Sequence, residues 1–371
     1  MPTQIFEKRI TKLRKKLADS DLDTIIVLSD ENRRYLSGYT GEDGGYDETA
    51  GILIITENDL ILACDARYNT QAENEAPLFS VICYEKSFTK ELPKIFKSIN
   101  ASNVGFEAER LTFKMYEKTL KELSESNSDV KIKSDNSILI NLRIIKDEFE
   151  IIKIKNALKI SEDSFLQFKK LIKEGMSEKE AAWVFEKLMR ENGADSLSFD
   201  VIAASGENSA LPHAIPGIRK FKNAEPLLFD FGARLNGYCS DTSRTLILGK
   251  STDKFEQVYD IVFQAQKKAV EQIKPGIKAS KIDKIARDYI ENTEYKGKFA
   301  HGLGHGVGIV IHEAPRFSKF DDTFLEQGMI VTVEPGIYIP GWGGIRLENM
   351  IEVTENGANV LNTLSYEDYQ I

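Results

Sequence analysis

The chain of 371 residues is poor in cysteine and histidine, carries fewer basic than acidic residues and has no long apolar run. Its three cysteines, Cys64, Cys83 and Cys239, are odd in number and far apart. No zinc-type spacing exists among them and no disulfide framework is implied. A reducing cytoplasm is therefore the expected setting. No stretch reaches the ~18 apolar residues of a membrane helix. The first stretch, MPTQIFEKRITKLRKKLADS, lacks the apolar centre of a signal peptide. Its Ile5, Ile10, Leu13 and Leu17 recur at helical spacing and predict the first helix of a folded domain. Lysine and arginine number 49 against 58 acids, a net charge of −9. Nucleic acid and anionic membrane both demand basic patches, so neither is expected as the main partner.

What is present suits two domains. Residues 1–134 alternate helix and strand signals. Thr24–Leu28 is a short apolar run, GYTGEDGGYDETAG reads as loop, and Gly51–Ile55 with Leu60–Ala63 predict a hairpin. The polar stretch Leu123–Asn136 places a domain boundary at its end, giving domains 1–134 and 135–371. From about 140 to 195 the apolar spacing is helical. Ser177 is the expected N-cap of one helix there, with Glu180 completing a capping box and Gly193 ending it. Beyond 197 the period switches to two, interrupted by helical stretches near 253–274 and 279–293. This is an α+β pattern.

Two strand pairs in that region carry acids. In LLFDFGARLNGYCSDTSRTLIL, a turn at 235–236 sets Asp230 directly opposite Asp241. A turn at Asn236-Gly237, the better type I′ signal, shifts the pairing by two. Either way the two aspartates share a face. In IVTVEPGIYIPGWGGIRLENMIEV the loop PGWGG lies midway between Glu334 and Glu348. Any one of these acids alone is more simply a solvated strand residue. Yet Asp230 and Glu334 sit in strongly apolar surroundings, where charge is rarely left unpaired. Like charges facing across a ladder destabilise it, so a cation is expected between them. Of only four histidines, His301, His305 and His312 fall in FAHGLGHGVGIVIHEAPR. The alternating glycines there let backbone approach backbone, or a substrate, closely. Four carboxylates and one imidazole suit Mn²⁺, Co²⁺ or Zn²⁺ better than metals that favour thiolates. Two divalent ions cancel four carboxylates, and such a pair can share a water, lower its pKa and polarise a carbonyl.

These stretches resemble the M24 metallopeptidases of the pita-bread fold, in the proline-specific branch of aminopeptidase P and prolidase. The resemblance runs through LLFDFGARLNGYCSDTSRT, HGLGHGVGIVIHEAPR, GMIVTVEPGIYIPGWGG and GIRLEN. NRRYLSGYTGEDGG and DARYNTQAE are similar to a creatinase-like N-terminal domain. The resemblance implies that Asp241 and Glu348 bridge two metal ions, Mn²⁺ first among the candidates. Asp230 completes one shell, and His305 with Glu334 the other. It makes Glu334 the proton shuttle, and His213 and His312 the contacts to the scissile carbonyl. His301 lines the proline pocket, Arg346 lies near metals and pocket, and Arg316 matches an arginine that in some prolidases meets the substrate carboxylate. Asn349 stands where many relatives have Asp. The implied activity is hydrolysis of an N-terminal Xaa-Pro bond by a homodimer, with peptides bearing proline second as substrate. An Xaa-Pro aminopeptidase is the first reading, on GYTGEDGG, and an Xaa-Pro dipeptidase the alternative, on Arg316. A methionine aminopeptidase and a non-catalytic pita-bread protein rank below both. A peptide bond to proline is a tertiary amide with no N–H, and its leaving amine must be protonated as it departs.

Overall fold

The computed structural model describes residues 3–45, 48–135 and 137–371. Tyr46 and Asp47 of the GYTGEDGGYDETAG loop, with Met1, Pro2 and Asn136, lie outside the described residues. The chain divides into two compact units, Met1–Arg143 and Ile144–Ile371.

The first unit contains α1 (Thr3–Ala18), β1 (Thr24–Val27), α2 (Asp30–Ser37), β2 (Ile52–Thr56), β3 (Leu60–Cys64), α3 (Asn69–Glu75), β4 (Ser80–Cys83), α4 (Phe88–Ser98), β5 (Asn103–Phe106), α5 (Phe113–Glu125), β6 (Lys131–Ser134) and α6 (Ser137–Arg143). The strands form one mixed sheet in the order β4-β3-β2-β1-β5-β6. Central β1 and β2 read TIIV and ILIIT and are buried along their length. Such continuous β-branched runs fit strands covered on both faces. The hairpin expected from the sequence forms, with Ile55 opposite Leu60. The division falls at Arg143/Ile144, not at 134/135, for two reasons. The polar stretch ends in β6, an edge strand whose side chains are mostly exposed. The helix after it, α6, buries Ile138, Leu139 and Leu142, and Tyr35 Oη donates to the Leu142 carbonyl at 2.9 Å.

The second unit opens with α7 (Glu148–Lys169) and α8 (Glu178–Glu191). Asp147 and Glu150 form a capping box on α7. Ser177 caps α8 by accepting from Glu180 N, and Gly193 follows it in the left-handed region at φ +104°. The strands β7 (Ser196–Leu197), β8 (Ile202–Ser205), β9 (Pro226–Phe231), β10 (Ala233–Leu235), β11 (Tyr238–Cys239) and β12 (Thr242–Ile247) come next. Then follow α9 (Asp253–Val270), α10 (Ala279–Glu291), β13 (Gly304–Gly306), β14 (Glu313–Phe317), β15 (Ile330–Val333), β16 (Gly336–Ile339), β17 (Gly343–Arg346), β18 (Asn349–Val353) and β19 (Ala358–Val360). Each helix pair covers one sheet. Phe165, Phe168 and Phe185 of α7 and α8 pack against Phe229 and Phe231 of β9, with Phe165 stacked on Phe231 and Phe168 edge-on to Phe229. Val258, Val262, Ile282 and Ile290 of α9 and α10 pack with Val331, Val333 and Ile351. This is the pita-bread arrangement, and the acids singled out in the sequence lie at or beside the places where its ladders are interrupted.

Candidate metal centre

Leu235 pairs with Tyr238, so the first hairpin turns at Asn236-Gly237. Both residues have positive φ, +52° and +86°, as a type I′ turn requires. The register then sets Asp230 opposite Ser243. Asp241 is therefore a diagonal neighbour of Asp230 on the same face, and the direct opposition that a turn at 235–236 would give does not form. Between the two acids the ladder breaks at Gly232, where a Cβ would lie 1.9 Å from the Ser240 carbonyl oxygen.

The second hairpin behaves as its spacing predicts. Val333 pairs with Asn349 and Gly336 with Arg346, which sets Glu334 opposite Glu348 in a gap between two ladders. Glu334 N donates to the Leu303 carbonyl at 2.8 Å, and Glu348 N donates to the Ser243 carbonyl at 3.1 Å. The second of these bonds ties the two acid-bearing hairpins together.

His305 arrives on β13, a strand squeezed between two others. A Cβ on Gly304 would stand 2.0 Å from the Thr332 carbonyl oxygen, and one on Gly306 2.2 Å from that of Ala314. These glycines admit neighbouring backbone. His305 Nδ1 lies 3.0 Å from the Gly306 carbonyl, which assigns the proton to Nδ1 and leaves an Nε2 lone pair. That nitrogen faces Asp241 Oδ2 at 3.5 Å and Glu334 Oε1 at 3.4 Å. An imidazole lone pair and two carboxyl groups thus face one another, an arrangement that calls for a cation or for protons on the acids.

Asp241, His305 and Glu348 each offer a ligand atom, all within 4.8 Å of one another. Among the described residues, the buried Asp230 Oδ1 and Glu348 Oε1 have no hydrogen-bond partner. Orphaned carboxylate oxygens at a buried site require a cation or a proton. The donor set of oxygens plus one neutral imidazole fits a divalent ion of intermediate hardness. Burial pushes the carboxyls of Asp241 and Glu348 well above the usual range, and the neighbouring acids push them further. Burial likewise lifts Glu334 to about 8. Burial drives His305 and His301 down to about 3, so both imidazoles are neutral.

All ten residues singled out from the sequence line one cavity of about 890 Å³. His312 sits edge-on to His305, ring centroids 4.4 Å apart. Burial and the nearby Arg316 lower its pKa. His213 stands on an exposed loop held by Glu178, a buried residue at the start of α8. Its carboxylate accepts from Ser205 N at 2.8 Å, Ser205 Oγ at 2.9 Å and Gly217 N at 3.1 Å. Arg346 donates to Asp230 Oδ2 at 2.6 Å, to the Pro212 carbonyl at 3.0 Å and to Tyr338 Oη at 2.9 Å. His301 Nδ1 donates to the Gly302 carbonyl, and Tyr338 Oη donates to His301 Nε2 at 2.8 Å. Arg346 Nε donates to Ser243 Oγ at 2.8 Å, and that hydroxyl donates to Glu348 Oε2 at 2.9 Å. Sequence reasoning missed Tyr338, Ser243 and Glu178. Period two could have found the first two, since Tyr338 is four residues from Glu334 and Ser243 two from Asp241.

The titrations give a signed prediction. Between pH 6.5 and 8 the native cation-free protein binds more protons at Glu334 than the unfolded chain, whose glutamate titrates near 4.5. Its stability therefore falls as pH rises through that window. Below 6.5 the neutral histidines, which charge on unfolding, act in the opposite sense. Thermal melts in chelator are expected to drop by a few degrees from pH 6.5 to 8, and to stay level with excess Mn²⁺. A flat profile in chelator would remove the basis for a raised Glu334.

Metallopeptidase family M24 matches residues 152–355, and the creatinase/prolidase N-terminal domain matches residues 9–145. The chain is 36% identical over 361 residues to an Xaa-Pro dipeptidase of Pyrococcus furiosus, covering 97% of this chain and 99% of that one. Among solved structures, an Xaa-Pro dipeptidase from Bacillus anthracis superposes with TM-score 0.92 at 36% identity, covering 99% and 100% of the two chains. An X-Pro aminopeptidase from Thermotoga maritima superposes with TM-score 0.86 at 33% identity, covering 96% and 100%. No described helix is long and apolar enough to cross a membrane.

Proposed function

This chain belongs to metallopeptidase family M24, and from that premise we propose that it is an Xaa-Pro dipeptidase releasing C-terminal proline from dipeptides. The order of the two readings taken from the sequence is thereby reversed, with the aminopeptidase second. The observation that carries the choice is Arg316, which lines the cavity. Among the described residues its guanidinium has no carboxylate partner. A dipeptide brings the missing carboxylate, whereas a longer peptide places an amide there. The names of the P. furiosus relative and the B. anthracis structure favour the same choice.

Asp230, Asp241, His305, Glu334 and Glu348 would hold two divalent ions, Mn²⁺ before Co²⁺ or Zn²⁺. With Arg346 counted, two such ions leave the site one positive charge in excess, able to polarise the scissile carbonyl and lower the pKa of water. The protein residues supply the rest. Glu334, at the cavity wall, takes a proton from the attacking water and returns it to the proline nitrogen, which departs as a secondary amine. His213 and His312 present N–H donors to the carbonyl oxygen as it gains charge. Both His301 nitrogens are engaged within the protein, so its ring offers the cavity an apolar edge. Such an edge suits a pyrrolidine ring. A homodimer and a cytoplasmic setting belong to the same reading.

The test compares Xaa-Pro, Xaa-Pro-amide and Xaa-Pro-Yaa in Mn²⁺-supplemented assays of wild type and Arg316→Met. Losing a hydrogen bond to a charged group costs about 1.5–3 kcal/mol, so KM for the dipeptide should rise roughly tenfold to a hundredfold. The amide should be indifferent to the substitution. Faster cleavage of the tripeptide by wild type would restore the aminopeptidase reading.

A further inference from the structure

Where the ladder of β15 and β18 gives way to that of β16 and β17, the register continues unbroken across the gap. Inside the gap Leu347 N donates to the Pro335 carbonyl, a long bond of 3.4 Å. Pro335 has no N–H to return. The carbonyls of Val333 and Leu347 are met from outside the sheet, by Gln266 of α9. Its Nε2 donates to both, each at 3.0 Å. Its Oε1 accepts from Tyr366 Oη, which fixes the amide's orientation. Gln266 is 2% exposed, so no water can take over these bonds.

The two carbonyls belong to the peptide units that lead into Glu334 and Glu348. The N–H of each unit points the other way, to the Leu303 and Ser243 carbonyls. Each unit is therefore held at both edges, and a single amide nitrogen holds the inner edge of both. We propose that Gln266 is a positioning residue for the paired carboxylates: by bridging the gap it fixes the separation and tilt of the peptide planes that carry Glu334 and Glu348. It touches neither substrate nor metal, and it acts through the two glutamates. The inference rests on the metal-binding part of the reading above, not on the choice of substrate.

The test is Gln266→Met, which keeps an unbranched side chain of similar volume and removes both donors. Tyr366→Phe is the second variant, leaving the amide in place without its latch. Each is titrated with Co²⁺ alone, by calorimetry and by visible absorption, and then assayed for kcat and KM. Loss of partners behind metal ligands typically costs 10–100-fold in metal affinity. Gln266→Met is expected to weaken Co²⁺ binding by about that factor, shift the Co²⁺ absorption bands and lower kcat more than it raises KM. Tyr366→Phe is expected to move the same readouts less far, and it carries the test if Gln266→Met does not fold. Wild-type Co²⁺ affinity and spectrum in the folded variant would overturn the proposal while leaving the metal site standing. A wild-type chain that takes up no Co²⁺ would sink the metal reading and this proposal together.

Discussion

Replacing Asp241 with alanine is expected to abolish hydrolysis of Xaa-Pro dipeptides and uptake of divalent metal together. Asp241 is 4% exposed, and its Oδ2 lies 3.5 Å from His305 Nε2 at the centre of the acid cluster. Lewis-acid polarisation is worth several kcal/mol of transition-state stabilisation, so the rate should fall by ~10³-fold or more. The fold should not suffer. Burial and three neighbouring acids already hold the Asp241 carboxyl far above its ordinary pKa, so the cation-free protein carries this side chain at a cost. The variant in chelator is expected to melt no lower than wild type, a pattern typical of groups kept for function over stability. Peptidase assays with Mn²⁺ and melts with chelator check the two halves. An unchanged rate would sink the proposed mechanism.

The second large effect belongs to Glu334→Gln. Glutamine keeps the shape and can still accept from Thr332 Oγ1, but it cannot carry a proton between water and the leaving nitrogen. General acid–base catalysis contributes about 10²–10⁴-fold, and kcat should fall within that range. The same change removes the neighbour that, after burial itself, does most to raise the Glu348 carboxyl. Cation-free Glu334→Gln should therefore lose the fall in melting temperature between pH 6.5 and 8. A variant keeping more than about a tenth of wild-type kcat would assign the proton transfer to another group.

Much of this was legible in the sequence because alternation along a strand is a strict rule. Counting residues from PGWGG put Glu334 opposite Glu348, and counting from Asn236-Gly237 put Asp230 and Asp241 on one face. The choice between two turns was not legible by counting alone. It was decided by which dipeptide tolerates two positive φ values, and that moved Asp241 from opposite Asp230 to its diagonal. The charge count from the sequence was short by one because Arg346 reaches Asp230 through the fold. Gln266 and Glu178 were invisible for a different reason. Each acts through side-chain bonds to distant backbone, and no local spacing encodes a partner 67 or 39 residues away. The unit boundary was misplaced because a polar edge strand and a linker share a composition.

The two hairpin turns, Asn236-Gly237 and the one after Pro340, have a consequence beyond their own geometry. Let the pairing across either slip by one residue, and every side chain beyond it swaps faces. Let it slip by two, and the facing is restored with a shifted pairing. Each turn thus stores one bit, odd or even, and the four acids meet only when both bits are set. In that sense the centre is written in the register that its two turns fix.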